Sequence, residues 1–238
     1  MQLAFIWDMD GTLVDSYPAI VPAALESLSA QGVSYDREKL YQEVIRTSVG
    51  DVLEKIAAEH GLDLLPLKAD FNRRNDSNVA SICAMPHAAE TLNALQKAGH
   101  LNFVYTHRGA SCMTILKQTG LASCFTEVVT ALSGFPRKPE PDGILYLTEK
   151  YRLDKKHCFY VGDRSLDVEA AINAGISSIL YLDPASPGRA TGKESFLVHD
   201  LLEIPALAEN LPRLCQGDGS LDILYDSDIL YLSKGCFS

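Results

Sequence analysis

Short continuous apolar runs alternate along this chain with stretches of helical period. Residues 3–7 (LAFIW) are apolar throughout, which suits a strand buried on both faces better than one with a wet side. Residues 88–100 (AAETLNALQKAGH) carry apolar positions at helical spacing, with Gly99 placed to end the helix. The alternation then repeats: strand over 101–106, helix over 111–120 closed by Gly120, strand over 127–131, helix over 142–151, strand over 157–162, helix over 165–175, strand over 177–182. Buried strands joined by helices predict an α/β fold built on a doubly wound parallel sheet.

Residues 16–83 break the rhythm. They hold helical patterns only, over 18–31, 36–46, 50–60 and 66–82, parted by Gly32, the Thr47-Ser48 region and Gly61-Leu62. A segment of this length is too long for a simple crossover. It predicts an inserted all-helical domain over 16–83, within a core formed by 1–15 and 84–212. Beyond 212 the pattern changes again. The sequence GDGS at 217–220 precedes Asp-Ile-Leu-Tyr at 222–225, which recurs at 228–231. The expectation there is a short edge hairpin or a dimer contact, so 213–238 is an extension without assigned chemistry and the protein a monomer or homodimer.

Charge narrows the possible partners. A formal net charge of −10 repels nucleic acid and anionic lipid at long range, so neither is expected as a partner. An anionic small molecule stays possible if the site supplies its own cations. No basic leader precedes residues 3–7, Asp8 and Asp10 interrupt the apolar stretch, and no apolar run approaches the roughly 18 residues of a membrane span. The cysteines (83, 112, 124, 158, 215 and 236) include no C-x-x-C pair. The expectation is reduced thiols in a cytoplasmic protein.

The chemistry gathers where strands end. In an open parallel sheet, ligands bind beyond the carboxyl ends of the strands, near the switch in strand order. There the chain places Asp8-Met9-Asp10-Gly11-Thr12, Thr106-His107-Arg108-Gly109 and Gly162-Asp163-Arg164-Ser165-Leu166-Asp167, with Lys138 in the segment FPRKPEPDG between two strands. Crowded carboxylates repel one another unless protonated or bridged by a cation. Asp8, Asp10 and Asp163 are hard oxygen donors that suit Mg²⁺. With Lys138, the ion supplies the positive charge that a phosphoryl group needs.

These residues closely resemble the haloacid dehalogenase superfamily of phosphotransferases, whose four motifs occur in order: DMDGTLVDS (8–16), Thr106 in FVYTHRG, Lys138 in RKPEPDG, and GDRSLD (162–167). The helical insert sits directly after the first motif, where the helical C1 cap of the phosphoglycolate phosphatase-like branch sits. The resemblance implies a Rossmann-like core and a Mg²⁺-dependent phosphatase acting on a small phosphate monoester through an aspartyl phosphate. A sugar phosphomutase of the β-phosphoglucomutase type is the alternative. It further implies Asp8 as nucleophile and Asp10 as acid and base, its backbone carbonyl joining the metal. Thr106 and Lys138 would hold the phosphoryl group, Gly11 and Thr12 would shape the phosphate loop, and Asp163 and Asp167 would complete the metal site with Asp8. His107-Arg108 depart from the branch's usual pattern. One reading has one of them contact the substrate, and His107 joins the phosphate-binding set on that basis; the plainer one makes them a polar loop at the mouth of the site.

Other features receive no catalytic role. Arg46, Arg73 and Arg74 in the insert read as surface charges before substrate ligands, the stretch 46–50 being the best placed of these to read a leaving group. GRATGKES at 188–195 imitates a P-loop, but only three residues separate its glycines and Glu194 follows Lys193. His60, His87, His100, His157 and His199 show no metal-like spacing.

Overall fold

The computed structural model describes residues 1–186 and 188–214; the hairpin expected over 217–231 lies outside them. The described chain runs β1 (Ala4–Trp7), β2 (Val14–Asp15), α1 (Tyr17–Ala30), α2 (Arg37–Arg46), α3 (Val49–His60), α4 (Leu64–Ser77), β3 (Cys83–Ala84), α5 (Ala88–Lys97), β4 (Leu101–Tyr105) and α6 (Cys112–Gln118). It continues with β5 (Glu127–Val129), α7 (Asp142–Lys150), β6 (Cys158–Gly162), α8 (Ser165–Ala174), β7 (Ser177–Tyr181), β8 (Phe196–Val198) and α9 (Glu203–Leu214).

Six strands form one sheet in the order β5-β4-β1-β6-β7-β8, with every pair parallel. The order reverses direction at β1, so the crevice of a doubly wound sheet opens at the carboxyl end of that strand. Alternate residues of each strand feed two cores. Phe5 and Trp7 join Val104, Phe159 and Val161 beneath α5, α6 and α9. Ala4 and Ile6 join Phe103, Tyr105 and Tyr160 beneath α7 and α8. Trp7 meets its polar need inside the core by donating from Nε1 to Asn102 Oδ1 at 3.0 Å. Among the described residues, no helix is long and apolar enough to cross a membrane.

Helices α1 to α4 pack around a separate apolar cluster that includes Ala24, Leu28, Leu40, Leu53, Ile56 and Leu67. Their starts are set by side-chain caps: Asp36 accepts from the Lys39 amide, Ser48 from Asp51 and Asp63 from Leu65. The chain enters and leaves this helical layer through a two-stranded antiparallel ribbon, with Val14 opposite Ala84 and Asp15 opposite Cys83.

The five strands expected from the apolar runs are all present, each shorter by one or two residues. One helix is misplaced in the sequence reading. The pattern over 66–82 is α4 from Leu64 to Ser77, followed by a separate turn of 3₁₀ helix at Val79–Ser81. The Asp63 cap begins it earlier. At its end Ser77 and Ser81 turn their hydroxyls onto the Arg73 and Asn78 carbonyls, bonds that compete with a continuous helix.

Phe5 is fully buried and stacks on Phe159 with centroids 5.5 Å apart. Phe5→Ala should lower unfolding free energy by about 3–5 kcal/mol, read from urea unfolding. A loss below about 1 kcal/mol would contradict the packing described.

Candidate active site

The Asp8 carboxylate lies at the end of β1, whose hydrogen bonding to β6 continues one residue further through Asp8 N–H to Val161 O at 2.8 Å. Asp8 is buried, and each of its oxygens meets a cation. Oδ1 accepts from Lys138 Nζ at 2.8 Å and Oδ2 from Arg164 Nη2 at 3.1 Å. Burial pushes its pKa up, but the two cations outweigh burial and hold the carboxyl below its ordinary range.

Lys138 is as deeply placed as its partner. Its ammonium donates to Asp8 Oδ1, to Tyr160 OH at 2.8 Å and to Asp167 Oδ1 at 2.6 Å. These three bonds match the three donors of an ammonium. Tyr160 passes its own proton to the Tyr105 carbonyl at 2.7 Å. The loop that carries Lys138 is fastened by His107, whose Nε2 accepts from the Lys138 amide at 2.7 Å. Burial, then the charges of Lys138 and Arg137, push the His107 pKa down to about 2, so the ring is neutral and suited to accept that bond.

Asp163 and Asp167 follow β6. Asp163 accepts from Thr12 Oγ1 at 3.2 Å and from Tyr17 OH at 2.7 Å. Asp167 accepts from the Arg164 amide at 3.1 Å with its second oxygen. Two glycines leave the space these groups need. A Cβ on Gly11, which has φ +82°, would overlap the Asp163 carboxylate and the Tyr17 ring, and a Cβ on Gly162 would overlap Asp167. Asp8, Asp163 and Asp167 each offer one oxygen within 4.8 Å of the others. Burial raises Asp163 to about 7, with Arg164 opposing the rise and Asp167 and Asp8 adding to it. Burial raises Asp167 as well, against the pull of Lys138. Three hard oxygen donors at this spacing fit a divalent cation, and binding it would displace the proton from Asp163.

Asp10 stands apart from that trio. Arg108, buried in the loop after β4, grips its carboxylate with Nε at 2.9 Å and Nη2 at 2.6 Å from Oδ1, and Nε at 3.1 Å from Oδ2. Thr106, also buried, accepts from the Arg108 amide at 3.1 Å. Asp10, Thr106, Arg108 and Arg164 line one side of a cavity of about 540 Å³, and Ser48 and Asn75 line the helical side.

The sequence-derived set therefore converges on one rim, with Asp8, Lys138, Asp163 and Asp167 in one buried cluster. Thr12 and Gly11 lie against Asp163, Asp10 and Thr106 meet through Arg108, and His107 sits beneath the Lys138 loop. Arg164, Tyr17 and Tyr160 escaped the sequence reading. Arg164 lies inside GDRSLD and Tyr17 directly after DMDGTLVDS, so adjacency to a motif was the available signal. Arg73 and Arg74 pair with Asp70, and Arg74 also with Glu26 at 2.9 Å, away from the cavity. In GRATGKES, the Glu194 carboxylate itself accepts from the Thr191 and Lys193 amides, both at 3.1 Å. That turn holds its own anion.

Asp163 gives a signed pH dependence. Its pKa is about 7 in the folded chain against 3.8 for the ordinary group, so between these values the folded state binds more protons. Its stabilising contribution is full at low pH and is lost as pH rises toward 7. His107 works the other way, its neutral folded form losing ground as pH falls below 6.5. Asp163→Asn removes only the first effect. In EDTA, the melting temperature of D163N relative to the unsubstituted protein should climb between pH 4 and 7, whereas a flat difference would contradict the assignment.

Comparison with known proteins identifies the family. The family model described as haloacid dehalogenase-like hydrolase matches residues 5–181. The phosphoglycolate phosphatase of Vibrio vulnificus (strain YJ016) is 29% identical over 185 residues, covering 72% of this chain and 80% of that protein. The N-acetylmuramic acid 6-phosphate phosphatase of Pseudomonas aeruginosa is 27% identical over 180 residues, covering 72% and 78%. Among solved structures, CbbY from Rhodobacter sphaeroides in complex with phosphate superposes with a TM-score of 0.72 at 20% identity, covering 86% of this chain and 96% of that one. The chain belongs to the haloacid dehalogenase-like hydrolase family.

Proposed function

We propose that this protein is a Mg²⁺-dependent phosphatase that hydrolyses a small phosphate monoester through an aspartyl phosphate on Asp8. The observation that carries this reading is the Asp8 carboxylate itself, buried at the switch point of the sheet and held ionised by Lys138 beside two further carboxylates. Such a group is poised as a nucleophile toward phosphorus.

The roles follow from placement. Asp8 attacks the phosphoryl group and the ester oxygen leaves. Lys138, fixed by its bonds to Asp8, Tyr160 and Asp167, offsets the negative charge drawn together in that step. Asp10, at the edge of the cavity, gives its proton to the departing oxygen and takes one from the water that cleaves the acyl phosphate. Release from the Arg108 grip precedes proton donation, because the guanidinium's N–H donors occupy the oxygens that would carry the proton. Thr106 and the loop of Gly11 and Thr12 border the phosphoryl position. Asp8, Asp163 and Asp167 would hold Mg²⁺, which when bound supplies positive charge to the phosphoryl oxygens.

We assign the segment 16–83 the role of a cap over a core of 1–15 and 84–212. Its apolar cluster is separate from those of the sheet, and its α4 places Asn75 in the cavity wall. The Asn75 amide oxygen is buried without a hydrogen-bond partner among the described residues, which suits recognition of a hydroxyl on the leaving group. A cavity of about 540 Å³ accommodates esters the size of phosphoglycolate or a sugar phosphate. The phosphatases among the relatives support this substrate class.

Phosphate release from a panel of such esters tests the reading. The unsubstituted protein should turn over at least one ester with Mg²⁺, lose activity in EDTA and regain it when Mg²⁺ is restored. Asp8→Asn should lose on the order of 10³-fold or more in kcat. An undiminished rate in D8N, or full activity in EDTA, would overturn it.

A further inference from the structure

Arg164 occupies an unusual place for a cation. It follows Asp163 directly in the chain, and its side chain is only 9% exposed. Its Nη2 donates to Asp8 Oδ2 at 3.1 Å, and its Nε lies 3.8 Å from Asp163 Oδ1 and 3.9 Å from Asp167 Oδ2. The same guanidinium therefore faces all three carboxylates of the acidic cluster. Its Nε is buried with no hydrogen-bond partner among the described residues. The guanidinium thus sits within the cluster without saturating its bonds there.

Two consequences follow. A divalent cation bound to these carboxylates would place its oxygen ligands within about 2.0–2.6 Å of itself, in the region the guanidinium now faces. Two cations so close repel strongly in a buried setting. The Asp8 nucleophile is affected as well, because Lys138 holds one of its oxygens and Arg164 the other. An ion bound to Asp8 would need the oxygen that Arg164 now holds, because Lys138 holds the other. One donor must yield, and the two differ in freedom. Lys138 is enclosed and bonded three times. Arg164 borders both the cavity of about 540 Å³ and a second of about 620 Å³ lined also by Arg46 and Arg189. Its Nη1 already reaches toward the Thr47 carbonyl at 3.5 Å, at the end of α2 in the helical layer.

We propose that Arg164 is an internal competitor of the divalent cation: the guanidinium and the ion exclude one another from the Asp8–Asp163–Asp167 cluster, and entry of the ion drives Arg164 off Asp8 toward the helical layer. This inference rests on the reading of that cluster as a cation site. It deepens that reading by making access of the metal to Asp8 conditional on departure of Arg164 and by linking the metal to the helical layer through Thr47.

Mg²⁺ binding measured by calorimetry tests it without reference to turnover. Arg164→Gln should bind Mg²⁺ about tenfold more tightly than the unsubstituted protein, a coupling of ordinary size between two ligands. A second readout needs no substitution to be stable. In the unsubstituted, ¹⁵N-labelled protein, the Arg164 Nε–Hε resonance, identified by its absence in R164Q or R164S, should shift with the same Mg²⁺ midpoint as the calorimetric titration. Equal or weaker affinity in R164Q, or an Arg164 resonance that stays put at Mg²⁺ saturation, would overturn the competition while leaving the metal site intact. Absence of Mg²⁺ binding in both proteins would instead remove the metal from the proposed function, and this inference with it.

Discussion

Three carboxyl groups cannot share a buried pocket unless they are protonated or positive charge is built in with them. That constraint governs the ends of β1 and β6 in this protein. Asp8, Asp163 and Asp167 lie within 4.8 Å of one another, and the chain answers with Lys138 and Arg164, both almost wholly buried. Taking each such ion out of water costs several kcal/mol, and ion pairing recovers that only when every donor and acceptor is met. Lys138 meets the condition fully; Arg164, whose Nε has no hydrogen-bond partner among the described residues, does not. A cluster of this kind adds little to stability and is better understood as the source of an ionised Asp8 and a receptive cation site.

The fold exists in a form that makes this cluster possible. Reversal of strand order at β1 leaves a crevice where two neighbouring strands diverge. Gly11 and Gly162 let carboxylates approach backbone that any side chain would push away. Tyr160 reaches Lys138 from the sheet, and His107 pins the backbone of the same lysine from the adjacent loop. The helical layer then closes the cavity from above with its own apolar core, joined to the sheet through the short ribbon of β2 and β3.

Much of this was readable from residue order, and the reasons are local. A continuous apolar run ending in Asp8 marks both a buried strand and the end where the sheet's crevice opens, and the same logic reached Thr106 and Asp163. Lys138 was legible through the motif that surrounds it, since nothing in its spacing shows that it reaches Asp8 across 130 positions. Arg108 and Arg164 were harder, because a long flexible side chain reports its position in the chain and not where its head goes. Elements near the end of the described chain were missed for a different reason. The run forming β8 is three residues long, below the length at which periodicity speaks. In α9, Pro205 argues against a helix, yet it falls in the first turn, where the amide it lacks would have no intrahelical partner.

The account stands most directly on a covalent bond between phosphorus and the carboxylate at position 8. Rapid mixing with a turned-over ester and Mg²⁺, followed by borohydride and peptide mass spectrometry, reads that bond, since hydride reduces an acyl phosphate to an alcohol. The prediction is homoserine at position 8 in the substrate-treated sample alone. Reduction confined to another residue, or none while phosphate is being released, would contradict it.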